Sequence, residues 1–325
     1  MINAAIVGLG RWGQTLVASV QGKSDKIRFG TAVSRDPARS REFIERHGLT
    51  PVPELAAALA DPTIDAVVLA TPHSQHLGEV LATAAAGKAV FCEKPLTLNR
   101  ADAERAVAAC AKAGVLLGVG TDKRFFPAMN EVAAIAGSGR LGRLLHLEGN
   151  FSNEVSATFF SPWRDAPGES PAGGMTGTGI HVLDSMIRIA GPVRRVRAQL
   201  VAQEEAPEPL DTISILIEFR SGVSGILAAV RCTPLFLRLH VFGRDGSAEV
   251  VGRNELVVRQ SRGEPEHVKL PGNDSVRINL EAFADALAGR APYPITPAHM
   301  IEVVAAFEAI AKSAAADGEA VTLDG

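Results

Sequence analysis

The stretch Ile2-Asn3-Ala4-Ala5-Ile6-Val7-Gly8-Leu9-Gly10-Arg11-Trp12-Gly13 joins a short apolar run to a G-x-G-x-x-G turn that opens a helix. In this pattern the first glycine permits a tight turn, the second lets backbone approach a pyrophosphate, and the third lets helix and strand touch. The helix N-terminus then offers unpaired N–H groups and the positive end of its dipole to the anion. Gly8, Gly10, Arg11, Trp12 and Gly13 are therefore the expected dinucleotide loop, with Trp12 either covering the pyrophosphate or ribose or packed as a buried aromatic.

Outward from this turn, apolar runs at 2–7, 27–33, 64–70, 88–92 and 115–119 alternate with stretches of helical period. One such stretch follows Pro72, carries Leu77, Val80, Leu81, Ala84 and Ala85, and stops at Gly87. Another covers 100–113, with Asn99 as N-cap, Asp102 at the third helical position and Gly114 just past the end. The alternation predicts βαβ units on a parallel sheet, a Rossmann domain over 1–120. Beyond residue 121 the period becomes two at 196–200, 213–217 and 237–241, with helical patterns at about 128–137, 178–190, 278–289 and 297–316. The expected fold class is thus α/β, an N-terminal Rossmann domain plus an α+β domain over 121–325 with a large, mostly antiparallel sheet. Its last helix is free to pack back on the first domain.

The 325 residues are 46% hydrophobic and 21% charged, with a formal net charge of -3. That leaves ample apolar surface for two cores and no basic field to concentrate nucleic acid or an anionic membrane, so neither is expected as a partner. The N-terminus lacks the features of a signal peptide and no run of about 18 apolar residues occurs, so a cytoplasmic location is expected. Cys92, Cys110 and Cys232 are widely separated in apolar contexts and read as buried thiols. No metal is expected, because His73 and His76 lie three apart with no third ligand in view.

Dinucleotide specificity is read at the end of the second strand, Thr31-Ala32-Val33-Ser34-Arg35-Asp36. NAD-binding proteins usually carry an acid there for the ribose hydroxyls. Ser34 stands in that place and Arg35 follows, so nothing repels a 2′-phosphate and a planar cation can bind one. NADP(H) is favoured, with NAD(H) possible; the alternative makes Arg35 a solvated turn residue and Asp36 a helix cap.

Further motifs carry a resemblance. Thr71-Pro72-His73-Ser74-Gln75-His76, Ala86-Gly87-Lys88-Ala89-Val90-Phe91-Cys92-Glu93-Lys94-Pro95-Leu96, Arg124-Phe125-Phe126-Pro127, Trp163-Arg164, Gly173-Gly174 and Gly179-Ile180-His181-Val182-Leu183-Asp184 together resemble the glucose-fructose oxidoreductase / inositol dehydrogenase / rhizopine-catabolism oxidoreductase family. The likeness extends to the closing segment from Ser313 to Leu323, and so spans essentially the whole chain. It implies a small-molecule substrate between the domains and a homodimer or homotetramer paired through the open face of the second domain's sheet. It also implies that Lys94 reaches the substrate hydroxyl and nicotinamide, that His181 contacts the same hydroxyl, and that His76, with His73, lines the cofactor cleft beside Thr71, Pro72 and Glu93.

The chemistry of these residue types agrees. Oxidising an alcohol needs a group to take the O–H proton as hydride leaves the same carbon. Lys94 follows a strand at the edge of the sheet where ligands of such folds bind, although its ordinary pKa of about 10.4 must fall for base work, or else it only polarises the oxygen. His181 titrates near neutrality, and Asp184, three residues on, shares its helix face and could orient the imidazole or the helix. The family's usual aspartate four residues before the histidine is here Gly177, with Asp122 a candidate replacement and otherwise a turn cap. Arg164 either brings a cation to the substrate or braces its loop. The expected activity is hydride transfer between NAD(P) and a polyol, sugar or related alcohol or ketone. The alternatives are a non-catalytic dinucleotide sensor and an NAD-dependent glycosidase of the same family.

Overall fold

The computed structural model describes residues 1–153, 163, 166, 168–205 and 210–323. The chain forms two compact units, Met1–Asp122 with Asp274–Ile301, and Lys123–Asn273 with Glu302–Gly325. The expected boundary after residue 120 lies two residues before this division, but Asp274–Ile301 groups with the first unit, where sequence order had assigned it to the second. Packing is the reason: Leu280, Phe283 and Ala284 are buried with Ile6, Phe29 and Phe91 in one core, and the Phe283 ring meets Phe91 edge-on at 5.5 Å. A helical period reveals an apolar face but not which core receives it.

The first unit runs β1 (Ile2–Val7), α1 (Arg11–Val20), β2 (Ile27–Val33), α2 (Arg41–His47), β3 (Thr50–Val52), α3 (Leu55–Ala60), β4 (Ala66–Leu69), α4 (His76–Ala85), β5 (Ala89–Cys92), α5 (Arg100–Ala113) and β6 (Leu117–Val119). Its sheet has the order β3-β2-β1-β4-β5-β6, parallel throughout. Every residue of β4 and β5 is buried, as strands covered on both faces require. The Asn99 side chain accepts the Asp102 N–H at 2.9 Å, and Gly114, at φ +66, closes α5 in the left-handed conformation. Chain order reverses between β1 and β4, so the carboxyl ends of these strands and of β5 form the crevice where such sheets bind ligands.

The second unit contains α6 (Pro127–Gly137), β7 (Leu144–Ser152), α7 (Ile180–Ala190), β8 (Val193–Val201), β9 (Thr212–Phe219), β10 (Ser224–Val230), β11 (Phe236–Gly243), β12 (Gly246–Val251), β13 (Glu255–Gln260) and β14 (Glu266–Lys269). After α8 (Ser275–Leu287), which belongs to the first unit, come α9 (Pro297–Ala315) and β15 (Val321–Thr322). The sheet order is β14-β13-β12-β11-β7-β10-β9-β8-β15, antiparallel except for the β7–β10 pair.

Along β9, Ile213, Ile215 and Ile217 are buried while Ser214 and Leu216 face out, the alternation of a sheet with only one face in a core. On the outward face Leu216 pairs with Ile226, and Arg238 bridges Glu148 at 3.1 Å and Glu249 at 2.8 Å.

One reading is corrected: Cys92 and Cys110 are buried, but Cys232 is exposed. It lies just past the end of β10 with φ +56, at a turn that carries it out of the apolar strand next to it. Among the described residues no helix is long and apolar enough to cross a membrane, and no group of His, Cys, Asp or Glu is placed to hold a metal ion.

Candidate active site

The three glycines of the first turn have separate jobs. Gly8 has φ +90, and a Cβ there would lie 2.7 Å from the Ala70 carbonyl oxygen on the neighbouring strand. A Cβ on Gly13 would strike the Gly8 carbonyl, so α1 can sit this close to the turn only without a side chain. Gly10 instead opens onto nothing within 4 Å and caps α1 with no side-chain hydrogen bond. Open space above uncapped helix N–H groups fits a pyrophosphate. Arg11 is exposed at the start of α1, and Trp12 is half-buried against the core of the unit. At the end of β2, Ser34 is half-buried and Arg35 exposed. Asp36 precedes the 3-10 turn Pro37–Ser40 and pairs with Arg39 at 3.1 Å.

The end of β5 carries Glu93 and Lys94, joined to Pro95 by a cis peptide. The Glu93 carboxyl is buried and lies directly against Gly120, where a Cβ would collide with it. It accepts the Lys94 backbone N–H at 3.2 Å. Burial pushes the Glu93 carboxyl up to about 7, and the Asp122 charge adds to that, while the Trp12 indole and Lys94 pull the other way. Asp122, also buried, accepts the Ser275 hydroxyl at 3.1 Å from α8.

His76 was expected to line the cofactor cleft, but it is fully buried, with one ring nitrogen 2.9 Å from the Pro95 carbonyl and the other 3.1 Å from the Thr71 carbonyl. It therefore ties the Thr71-Pro72 loop to the loop that presents Lys94. The His73 ring, buried too, stands edge-on to it at 5.7 Å.

In the second unit, His181 occupies the first turn of α7, directly after a π-helical turn at Met175–Gly179. Such turns are frequent at functional sites. His181 is buried, with its ring 6.0 Å from that of Phe151. Gly177 is the one residue of the turn that is not buried, and a Cβ there would meet nothing within 4 Å. Asp184 does not serve as an orienting partner of the imidazole. Both its oxygens are held by Arg124, Nε to Oδ2 at 2.8 Å and Nη2 to Oδ1 at 2.9 Å, with both side chains buried.

A second buried pair, Asp211–Arg231 at 3.1 Å, anchors the turn from below. The Asp211 carboxylate also accepts the Gly174 N–H at 2.9 Å, and at Gly173, φ +51, a Cβ would run into that carboxylate. Sequence reading gave these two charges no role, although a charge abutting each end of an apolar β-hairpin was the available signal. Arg164, a candidate for the substrate, lies outside the described residues. Lys94, Asp122 and the dinucleotide-loop residues belong to the first unit and His181 to the second.

A parallel sheet with this glycine turn defines a dinucleotide-binding fold. Residues 2–121 match the model of the oxidoreductase family with an NAD-binding Rossmann fold, and 129–249 match the GFO/IDH/MocA C-terminal domain. The chain belongs to this family, and it is an NAD(P)-dependent dehydrogenase or reductase of CH–OH groups.

Similar proteins include trans-1,2-dihydrobenzene-1,2-diol dehydrogenase of Mus musculus, 30% identical over 246 residues, 74% of this chain and 72% of that one. The scyllo-inositol 2-dehydrogenase (NAD(+)) of Bacillus subtilis is 29% identical over 267 residues, 77% and 71% of the two chains. In fold, the chain is similar to a levoglucosan dehydrogenase in complex with NADH and levoglucosan, with a TM-score of 0.88, 21% identity and 99% of each chain covered. With relatives named as dehydrogenases, neither the sensor nor the glycosidase reading is favoured.

Proposed function

We propose that this enzyme transfers a hydride between NADP(H) and a secondary alcohol of a polyol, sugar or cyclic diol. Its relatives act on diols and inositol, as their names state, and the placement of Lys94 at the carboxyl end of β5 carries the reading. When bound, the nicotinamide accepts or donates the hydride. Lys94 holds the substrate oxygen and manages its proton. His181, on a helix start beside the side-chain-free Gly177, is the proton-transfer candidate of the second unit. His76 keeps the Lys94 loop in place.

The cofactor preference rests on Ser34 with Arg35, joined by Arg39 on the following turn. A screen of polyols, sugars, keto-sugars and dihydrodiols, read by nicotinamide absorbance with both cofactors, is expected to show turnover with NADP(H) over NAD(H). Ser34→Asp is expected to reverse that preference by about tenfold or more, since two like charges about 4 Å apart repel by ~1 kcal/mol even in water and more in a half-buried site. Equal or tighter binding of NAD(H) by the parent enzyme overturns the Ser34–Arg35 argument.

We further propose that a second copy of the chain covers the outward sheet face. The paired Leu216 and Ile226 are apolar, and the bridged Glu148, Arg238 and Glu249 beside them offer both signs of charge to a two-fold mate. Ile226→Asp is expected to shift the sedimentation coefficient from dimer or tetramer to monomer; a parent enzyme that sediments as a monomer removes the proposal.

A further inference from the structure

The carboxyl ends of β5 and β6 bring two buried acids together inside the first unit. Glu93 ends β5 and Asp122 follows β6, with only Gly120 and Thr121 between that strand and Asp122. The Glu93 carboxyl occupies the space a side chain at Gly120 would need. Asp122 is held by Ser275. The buried Thr121 hydroxyl makes no hydrogen bond among the described residues.

Two carboxylates at one desolvated strand end repel each other, and the pair relieves this by holding a proton on Glu93 until about neutral pH. The other ionisable groups around it are Lys94 on the same loop and Cys92 on β5, whose thiol is pushed well up by burial and then by Glu93 and Glu79. Glu79 on α4 is itself raised by burial and held back by Thr71.

The oxidised nicotinamide carries one positive charge that the reduced ring lacks. A carboxylate in this crevice therefore favours the oxidised form, and its protonated form does not. We propose that Glu93, paired with Asp122, sets the preference of the site between the oxidised and reduced cofactor. The preference for the oxidised form appears when Glu93 loses its proton and fades when it regains it. This rests on the dinucleotide reading of the first unit. The linkage has a definite sign: binding the oxidised form lowers the affinity of Glu93 for its proton and releases that proton to solvent, whereas binding the reduced form does not.

The test measures dissociation constants of NADP⁺ and NADPH, and of NAD⁺ and NADH, by protein fluorescence from pH 5.5 to 8.5 (about 1.5 units either side of the transition). The 2′-phosphate titrates near 6 in both redox forms and cancels from their ratio. The oxidised form is expected to gain about fivefold over the reduced form between about pH 6 and 8, approaching the roughly tenfold limit that one unit of coupling allows. Calorimetry in two buffers should show more proton release with the oxidised form than with the reduced form of the same dinucleotide. Glu93→Gln is expected to flatten the ratio.

Should Glu93→Gln fail to fold by circular dichroism, Asp122→Asn serves instead. Removing the like charge lets Glu93 ionise earlier and moves the transition below about pH 7. Parallel pH curves for the two forms, a slope that survives Glu93→Gln, or a transition unmoved by Asp122→Asn overturns the proposal. Failure of every cofactor to bind at any pH overturns the dinucleotide reading as well.

Discussion

The Lys94→Met enzyme is expected to turn over at about one hundredth of the parental rate or less, the usual loss with an acid–base group. That is about 2.7 kcal/mol of barrier at 1.36 kcal/mol per tenfold. The substitution suits the structure, because backbone atoms also hold the loop. The backbone N–H of residue 94 donates to Glu93, and the Pro95 carbonyl is held by His76. Methionine has similar length and no charge, so the loop keeps its course while the ammonium is lost. Single-turnover rates at saturating cofactor and substrate check the result, and a rate within a few-fold of the parent removes Lys94 from proton transfer. Loss of cofactor binding in the same variant would instead make the lysine part of the dinucleotide site.

Asp184→Ala is expected to destabilise the protein by about 3–5 kcal/mol, the cost of removing one partner from a buried ion pair. Arg124 is buried and its guanidinium is gripped at two points by Asp184. Truncation takes both hydrogen bonds away while leaving the cation inside. Arg188 on the same helix feels the same pair: the Arg124 charge works against its protonated form and Asp184 favours it. Urea unfolding reads the change. The double substitution Arg124→Met with Asp184→Leu is expected to recover most of the loss, since apolar replacements for a buried pair are often neutral. A single-variant effect no larger than that of an ordinary surface change, about 0.5 kcal/mol, contradicts the assignment.

The two effects separate chemistry from support. Lys94 is expected to alter rate with little effect on stability. Asp184 is expected to alter stability first, and rate only because α7 carries His181 three residues earlier. An imidazole-orienting role for Asp184 would have predicted a loss of rate with a near-normal unfolding midpoint. Helical spacing alone allowed that role, because residues three apart share a face. It could not register that Arg124, sixty residues away, takes both carboxylate oxygens.

Local signals located five of the six strands of the first unit's sheet, but neither the edge strand β3 nor the membership of α8. Strands β1 and β2 coincide with the apolar runs at 2–7 and 27–33, and α5 begins and ends at the cap residues Asn99 and Gly114. Period-two alternation likewise located β8, β9 and β11. These features depend on residues a few positions apart, so propensity, capping and periodicity are written into short stretches. The glycine turn belongs to the same group only in part: Gly13 is required by the Gly8 carbonyl of the turn itself, whereas Gly8 is confined by Ala70 on a strand far along the chain, and Gly10 opens onto free space.

What the sequence determined by itself was therefore the alternation of strands and helices in the first unit, three strands of the second sheet, the dinucleotide loop, the family likeness and the candidates Lys94 and His181, while strands such as β3, β7, β10 and β12 carried no period that marked them. Tertiary structure alone decided which core takes residues 274–301, that His76 braces two loops, that Asp184 belongs to Arg124, and that Asp211 and Arg231 hold the turn before His181. It also decided that Glu93 lies buried in the presence of a second acid. The physical reason is the same in each case. A buried charge or a packed ring is tolerated only where distant parts of the chain supply its partner, and no spacing rule encodes which distant part arrives.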